Sequence, residues 1–167
     1  MPNAQCPRFM QIKNRQFWIA ALIAFFLDQI TKYWILQSFE FKETRPLIAG
    51  VFHFTYVRNY GAAFSILDGH VDSLKWLSLI VSLGLIALAL FAPELSLWER
   101  LAYGFILGGA MGNGIDRFVL GYVVDFLDFR LIHFPVFNFA DIFINVGIAC
   151  LLISSFQKSP TSDKRSR

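Results

Sequence analysis

The chain has 167 residues, of which 56% are hydrophobic and only 16% charged, with 19 phenylalanines and a mean hydropathy of +0.51. A soluble domain carries about 25% charged residues, so the composition describes a membrane protein and excludes a disordered chain, a collagen-like repeat and a basic nucleic-acid-binding domain. The formal charge of +3 sits at the ends and in the loops, where it reports orientation.

Four apolar segments follow, expected as an all-α bundle of membrane helices over about 17–37, 74–92, 98–118 and 139–157 in a single domain, with outer connections at 38–73 and 119–138. Arg8, Lys13 and Arg15 precede the first in the manner of a signal peptide. Phe25-Phe26-Leu27-Asp28 offers no small-residue cleavage site, however, and an uncleaved anchor is expected. Asp28 and Lys32, four apart, share one helix face as an ion pair directed into the bundle.

In the first outer connection Phe52, Phe54 and Tyr56 alternate with His53 and Thr55, which predicts a half-buried strand, and Asn59-Tyr60-Gly61 supplies turn chemistry. A small β element on the bilayer surface is expected. The second apolar segment contains the uncharged run Trp76 to Ala92. The third carries Gly108-Gly109-Ala110-Met111-Gly112, which permits close helix packing, and then Asn113, Asp116 and Arg117 on one face. Arg117 has two readings, an internal pair with Asp116 or a planar fork for a substrate backbone or a phosphate-like head group. Asp125 stands just beyond, among Val, Phe and Leu with only Asp128 as polar company. Asp141 opens the fourth segment, with Asn138 as its N-cap.

Lys and Arg number 8 in the 34 residues of 1–16, 93–100 and 158–167, against 6 in the 63 residues of 38–75 and 116–140. The positive-inside rule then places both termini in the cytoplasm. In that orientation Asp28, Lys32, Asp116, Arg117 and Asp141 all fall in the outer leaflet, where one site can collect them.

Two carboxylates brought together in a partly dry place do not both ionise easily, and one keeps the proton. Such a pair activates water with one member and protonates a carbonyl or leaving amine with the other, as aspartic proteases do. No metal and no cofactor is expected. His53, His70 and His133 are scattered and read as surface or interfacial. Cys6 and Cys150 are read as structurally inert, and a Ser65–Lys32 nucleophile pair finds no support in the spacing.

Taken in order, Asp28-Gln29-Ile30-Thr31-Lys32, Asn59-Tyr60-Gly61-Ala62-Ala63-Phe64-Ser65, Gly112-Asn113-Gly114-Ile115-Asp116-Arg117, Val123-Val124-Asp125-Phe126 and Phe137-Asn138-Phe139-Ala140-Asp141 resemble the lipoprotein signal peptidases, the type II signal peptidases of bacteria. The resemblance covers nearly the whole chain outside the two tails. It implies an aspartic endopeptidase of the bacterial cytoplasmic (inner) membrane that removes the signal peptide from a prolipoprotein just before a diacylglyceryl-modified cysteine. By motif match, Asp125 and Asp141 would be the catalytic dyad. Asn59, Asn113, Arg117 and Asn138 would bind substrate, and Asp28, Lys32, Gly61 and Asp116 would support the site. The implied partners are lipid-modified prolipoproteins and membrane lipid, with no nucleic acid, and the protein is expected as a monomer. Ile142 stands where relatives often have a small polar residue, and His133-Phe134-Pro135 where they are often richer in Trp or Tyr.

Two other classes compete. A proton-conducting or transport protein also uses intramembrane carboxylates, but at graded depths rather than in one leaflet. A purely structural bundle leaves the cost of so many polar groups without a return.

Overall fold

The computed structural model describes residues 13–61, 70–132 and 134–158. Its elements run α1 (Arg15–Ser38), β1 (Thr44–Ile48), β2 (Phe52–Asn59), α2 (Val71–Phe91), α3 (Leu97–Val119), β3 (Val123–Phe129), a 3-10 turn at Arg130–Ile132, and α4 (Phe139–Lys158). Each helix lies within three residues of its expected bounds. Helices α1, α2 and α4 are long and apolar enough to cross a membrane. The more polar α3 packs against all three of them.

Helix α3 starts at a capping box, in which Ser96 Oγ accepts from the Glu99 amide and the Glu99 carboxylate accepts from the Ser96 amide. Its glycines then let neighbouring backbones approach. A Cβ on Gly108 would stand 2.5 Å from the Ala21 carbonyl oxygen and 2.6 Å from the Ala24 methyl, so α1 and α3 meet through this bare surface.

The β element is larger than alternation alone implied. Strands β1, β2 and β3 form one antiparallel sheet in that order, so the connection from α1 to α2 and that from α3 to α4 both contribute to it. The register slips between Phe54 and Val57, and the simple alternation of β2 is lost there: His53 is buried, with its Nε2 accepting from the Gly50 amide. Expected as surface or interfacial, this histidine is buried rather than on the surface. Because β2 is the central strand, its side chains meet neighbours from both edges. His70 is exposed, whereas His133, Ser65 and Cys6 lie outside the described residues. Cys150 is a buried free thiol.

Two apolar clusters hold the architecture. Phe17, Ala21, Ala89 and Leu107 join the helices at one end, and Ile35, Phe39, Tyr56, Val124, Phe126 and Leu127 fasten the sheet to the end of α1. The free side of β3 is closed by Phe137, whose carbonyl accepts from Phe126 and Leu127 at 3.0 and 2.8 Å and whose amide donates to Leu127 at 3.1 Å. That short pairing delivers the chain from β3 straight to the start of α4.

Candidate active site

Four elements converge where the sheet meets the bundle. Asp125, on β3, is 1% exposed. Its Oδ2 accepts from Asn59 Nδ2 at 2.8 Å and its Oδ1 from Asn138 Nδ2 at 2.6 Å. Asp141, in the first turn of α4, accepts from Asn113 Nδ2 at 2.9 Å and from the Asn138 amide at 3.2 Å. Asn138 Oδ1 in turn accepts from the Asp141 amide at 3.0 Å, so the predicted N-cap is present. Asn138 therefore does two things at once: it starts α4 and it holds both carboxylates in one frame.

Behind these groups lies a buried ionic cluster. Lys32 Nζ is 2.9 Å from Asp28, 3.0 Å from Asp116 and 2.8 Å from Asn113 Oδ1. Asp28 Oδ1 accepts from the Ala140 amide at 2.9 Å, and Asp116 Oδ2 from the Val124 amide at 3.1 Å. The two acids thus tie α1 to α4 and α3 to β3, one residue away from Asp141 and Asp125 respectively. Gly112 makes room for this, since a Cβ there would collide with the Asp28 carboxylate. Lys32 is fully engaged by these partners, which leaves it no role as a base for a serine.

Arg117 makes no ion pair with Asp116 among the described residues. Its Nη2 donates to the Gly61 carbonyl at 2.9 Å and its Nη1 to the Asn113 carbonyl at 3.3 Å, while its buried Nε has no acceptor among the described residues. Gly61 in turn donates to Asn59 Oδ1 at 2.9 Å, which realises the expected turn. Asp128 belongs elsewhere. It accepts from Thr55 and Arg130 at 2.6 and 2.8 Å on the edge of the sheet, and although burial pushes its pKa up, those hydrogen bonds hold it below the usual carboxylate value.

Asn59, Asn113, Arg117, Asp125 and Asp141 line a single cavity of about 1070 Å³, with Asp28, Lys32, Asp116 and Asn138 packed behind them. Burial raises the pKa of Asp125 to about 7, and the nearby Asp141 charge adds to the rise. Geometrically this pocket offers two carboxyls from different elements, amide donors on both and a guanidinium at one side. Sequence reasoning missed Gln29, whose amide donates to Asp28, Asp116 and the Gly112 carbonyl at 3.2 Å each, and Asn145, which lines the cavity one helical turn beyond Asp141. The signal for Asn145 was available: a carboxamide at i+4 from Asp141 on an otherwise apolar helix.

The model of the family described as signal peptidase (SPase) II matches residues 20–157. The chain belongs to the signal peptidase II family. It is therefore a membrane peptidase by descent, and the five motifs lie within the matched span. The lipoprotein signal peptidase of Nostoc punctiforme is 72% identical over 156 residues, covering 93% of this chain and 99% of that one. The lipoprotein signal peptidase of Trichormus variabilis is 67% identical over 158 residues, covering 95% and 100%. Among solved structures, a bacterial membrane enzyme determined at 2.3 Å by the in meso method is 28% identical, covers 92% of this chain and 94% of its own, and superposes with a TM-score of 0.81.

Proposed function

We propose that this signal peptidase II removes the signal peptide from diacylglyceryl-modified prolipoproteins, cutting before the lipidated cysteine, with Asp125 and Asp141 as an aspartic dyad. The observation that carries the reading is that these two carboxyls, from β3 and α4, line one cavity and share Asn138 as a hydrogen-bond partner. With one proton between them, the ionised member takes a proton from water as the water oxygen bonds to the scissile carbonyl carbon. The protonated member gives its proton to the carbonyl oxygen. Collapse of the tetrahedral diol breaks the C–N bond, and a proton passes to the leaving amine of the cysteine.

Asn59, Asn113 and Asn138 hold the carboxylates, and Arg117, whose side chain lines the cavity, is the group for a substrate carbonyl. Asp28, Lys32, Asp116 and Gly61 support them. The proposal includes α3 as a fourth span, a single integral domain, both termini in the cytoplasm, and the dyad at the outer face of the bacterial inner membrane. There it meets a substrate anchored by its acyl chains. The enzyme acts as a monomer on this reading.

The test is cleavage of a diacylglyceryl-modified prolipoprotein by the purified protein in detergent with chelator present. Turnover is expected for the wild type and its loss in folded Asp125→Asn and Asp141→Asn variants. Normal turnover by either variant would remove the dyad.

A further inference from the structure

Asn145 stands alone in its surroundings. From Ile142 to Ile153 every other residue of α4 is apolar, glycine or Cys150, and this is a helix long and apolar enough to cross a membrane. A carboxamide in such a stretch is costly unless it is used. Asn145 is exposed and lines the cavity. Its Nδ2 donates to the Asp141 carbonyl at 2.8 Å, which fixes which end of the amide faces outward. Its Oδ1 has no partner among the described residues, so a fixed acceptor is presented to the cavity wall about 6 Å along the helix from Asp141.

A peptide cut at a membrane interface needs such an acceptor. In the bilayer a signal peptide satisfies its main-chain N–H groups by coiling as a helix, and hydrolysis requires the segment around the scissile bond to unwind. Unwinding frees N–H donors where little water is at hand to take them, and an acceptor on the protein offsets part of that cost. An extended segment advances about 3.3 Å per residue. Two residues back from the dyad therefore span the distance to Asn145.

We propose that Asn145 is a substrate-binding residue whose Oδ1 accepts a main-chain N–H from the unwound segment of the signal peptide, about two residues before the scissile bond. This rests on the peptidase reading and adds to it a recognition contact on the membrane side of the cavity. Asn145 thereby selects for an extended backbone rather than for any one side chain.

The experiment pairs an enzyme change with a substrate change. Diacylglyceryl lipopeptides are N-methylated in turn at each of the three residues before the modified cysteine, and kcat/KM is measured for wild type, Asn145→Leu and Asn145→Gln. Asn145→Leu is expected to lose about three- to tenfold on the unmodified peptide, mostly through KM, as one neutral hydrogen bond is removed. Asn145→Gln recovers part of the loss. At one position methylation costs the wild type a similar factor and costs Asn145→Leu nothing further, a coupling that a merely structural role would not produce. Losses that add at all three positions, or an unchanged KM in Asn145→Leu, would overturn the proposal while leaving the dyad intact. Failure of the wild type to cut the unmodified peptide, or normal cutting by Asp125→Asn, would overturn the peptidase reading and this contact with it.

Discussion

Asn138 Nδ2 stands 2.6 Å from Asp125 Oδ1, and the oxygen of the same amide accepts the backbone N–H of Asp141 at 3.0 Å. One side chain thus couples the start of α4 to a carboxylate on β3. Replacing it tests whether that coupling matters. Asn138→Ala removes a helix cap, worth about 1 kcal/mol, and leaves Asp125 Oδ1 without its shortest donor. A fall in the thermal midpoint in detergent is expected together with a loss of at least about tenfold in kcat/KM. Asn138→Asp keeps the cap but sets a third carboxyl against Asp125. It is expected to retain the midpoint better than Asn138→Ala and to lose more activity.

The pH dependence follows from Asp125, whose pKa burial and the neighbouring Asp141 raise to about 7. Between the ordinary carboxylate value and about 7 the folded state binds more protons than the unfolded one, so this group's contribution to stability declines as pH rises through that window. Asp125→Asn removes the titration. The midpoint of the variant minus that of wild type should therefore increase between pH 4.5 and pH 8, and a flat difference would contradict the raised pKa. On the proposed dyad mechanism the singly protonated pair is the working form, so kcat/KM is expected to fall on the alkaline side with an apparent pKa near 7 that belongs to the pair. Asn59→Ala deletes a hydrogen bond that lowers the Asp125 pKa and moves that limb to higher pH.

Lys32 separates support from chemistry. It is 2% exposed and lies between Asp28 and Asp116. Lys32→Met leaves two buried acids with one proton donor fewer between them, a change expected to cost about 3 to 5 kcal/mol. Asp28→Asn in the same chain removes one of the stranded charges and recovers part of the midpoint. A Lys32→Met protein with wild-type stability and no turnover would instead make the ammonium part of the reaction.

How far the chain could be read depended on whether a signal was local. The helices were legible because uninterrupted apolar runs end at capping or polar residues such as Ser96 and Asn138. The convergence of Asp28, Asp116 and Asp141 followed from where those residues fall along their segments. Strand β3 was not legible: Val123 to Leu127 are all buried, so no alternation marks them, and their pairing partners lie in β2 and at Phe137. The burial of His53 was hidden for the same reason, since it depends on β2 being central. Arg117 had two readings in sequence because spacing relates it to Asp116, whereas its acceptor at Gly61 is 56 residues away.

Gly112 gives the most local test of the packing argument. A methyl group there would meet the Asp28 carboxylate, which is itself pinned by Lys32 and the Ala140 amide and has no room to retreat. Gly112→Ala is expected to destabilise by about 1 to 3 kcal/mol and, because Ala140 precedes Asp141, to lower activity in the fraction that remains folded. Gly84, in α2, has nothing within 4 Å of a built Cβ. Gly84→Ala should leave the stability unchanged or raise it by up to about 1 kcal/mol through helix propensity, with the midpoint following. Thermal unfolding of both variants in the same detergent decides the matter: equal midpoints would mean that the Asp28 side of the bundle yields, and that the close approach of α1 and α3 at this level is not what holds the ionic cluster in place.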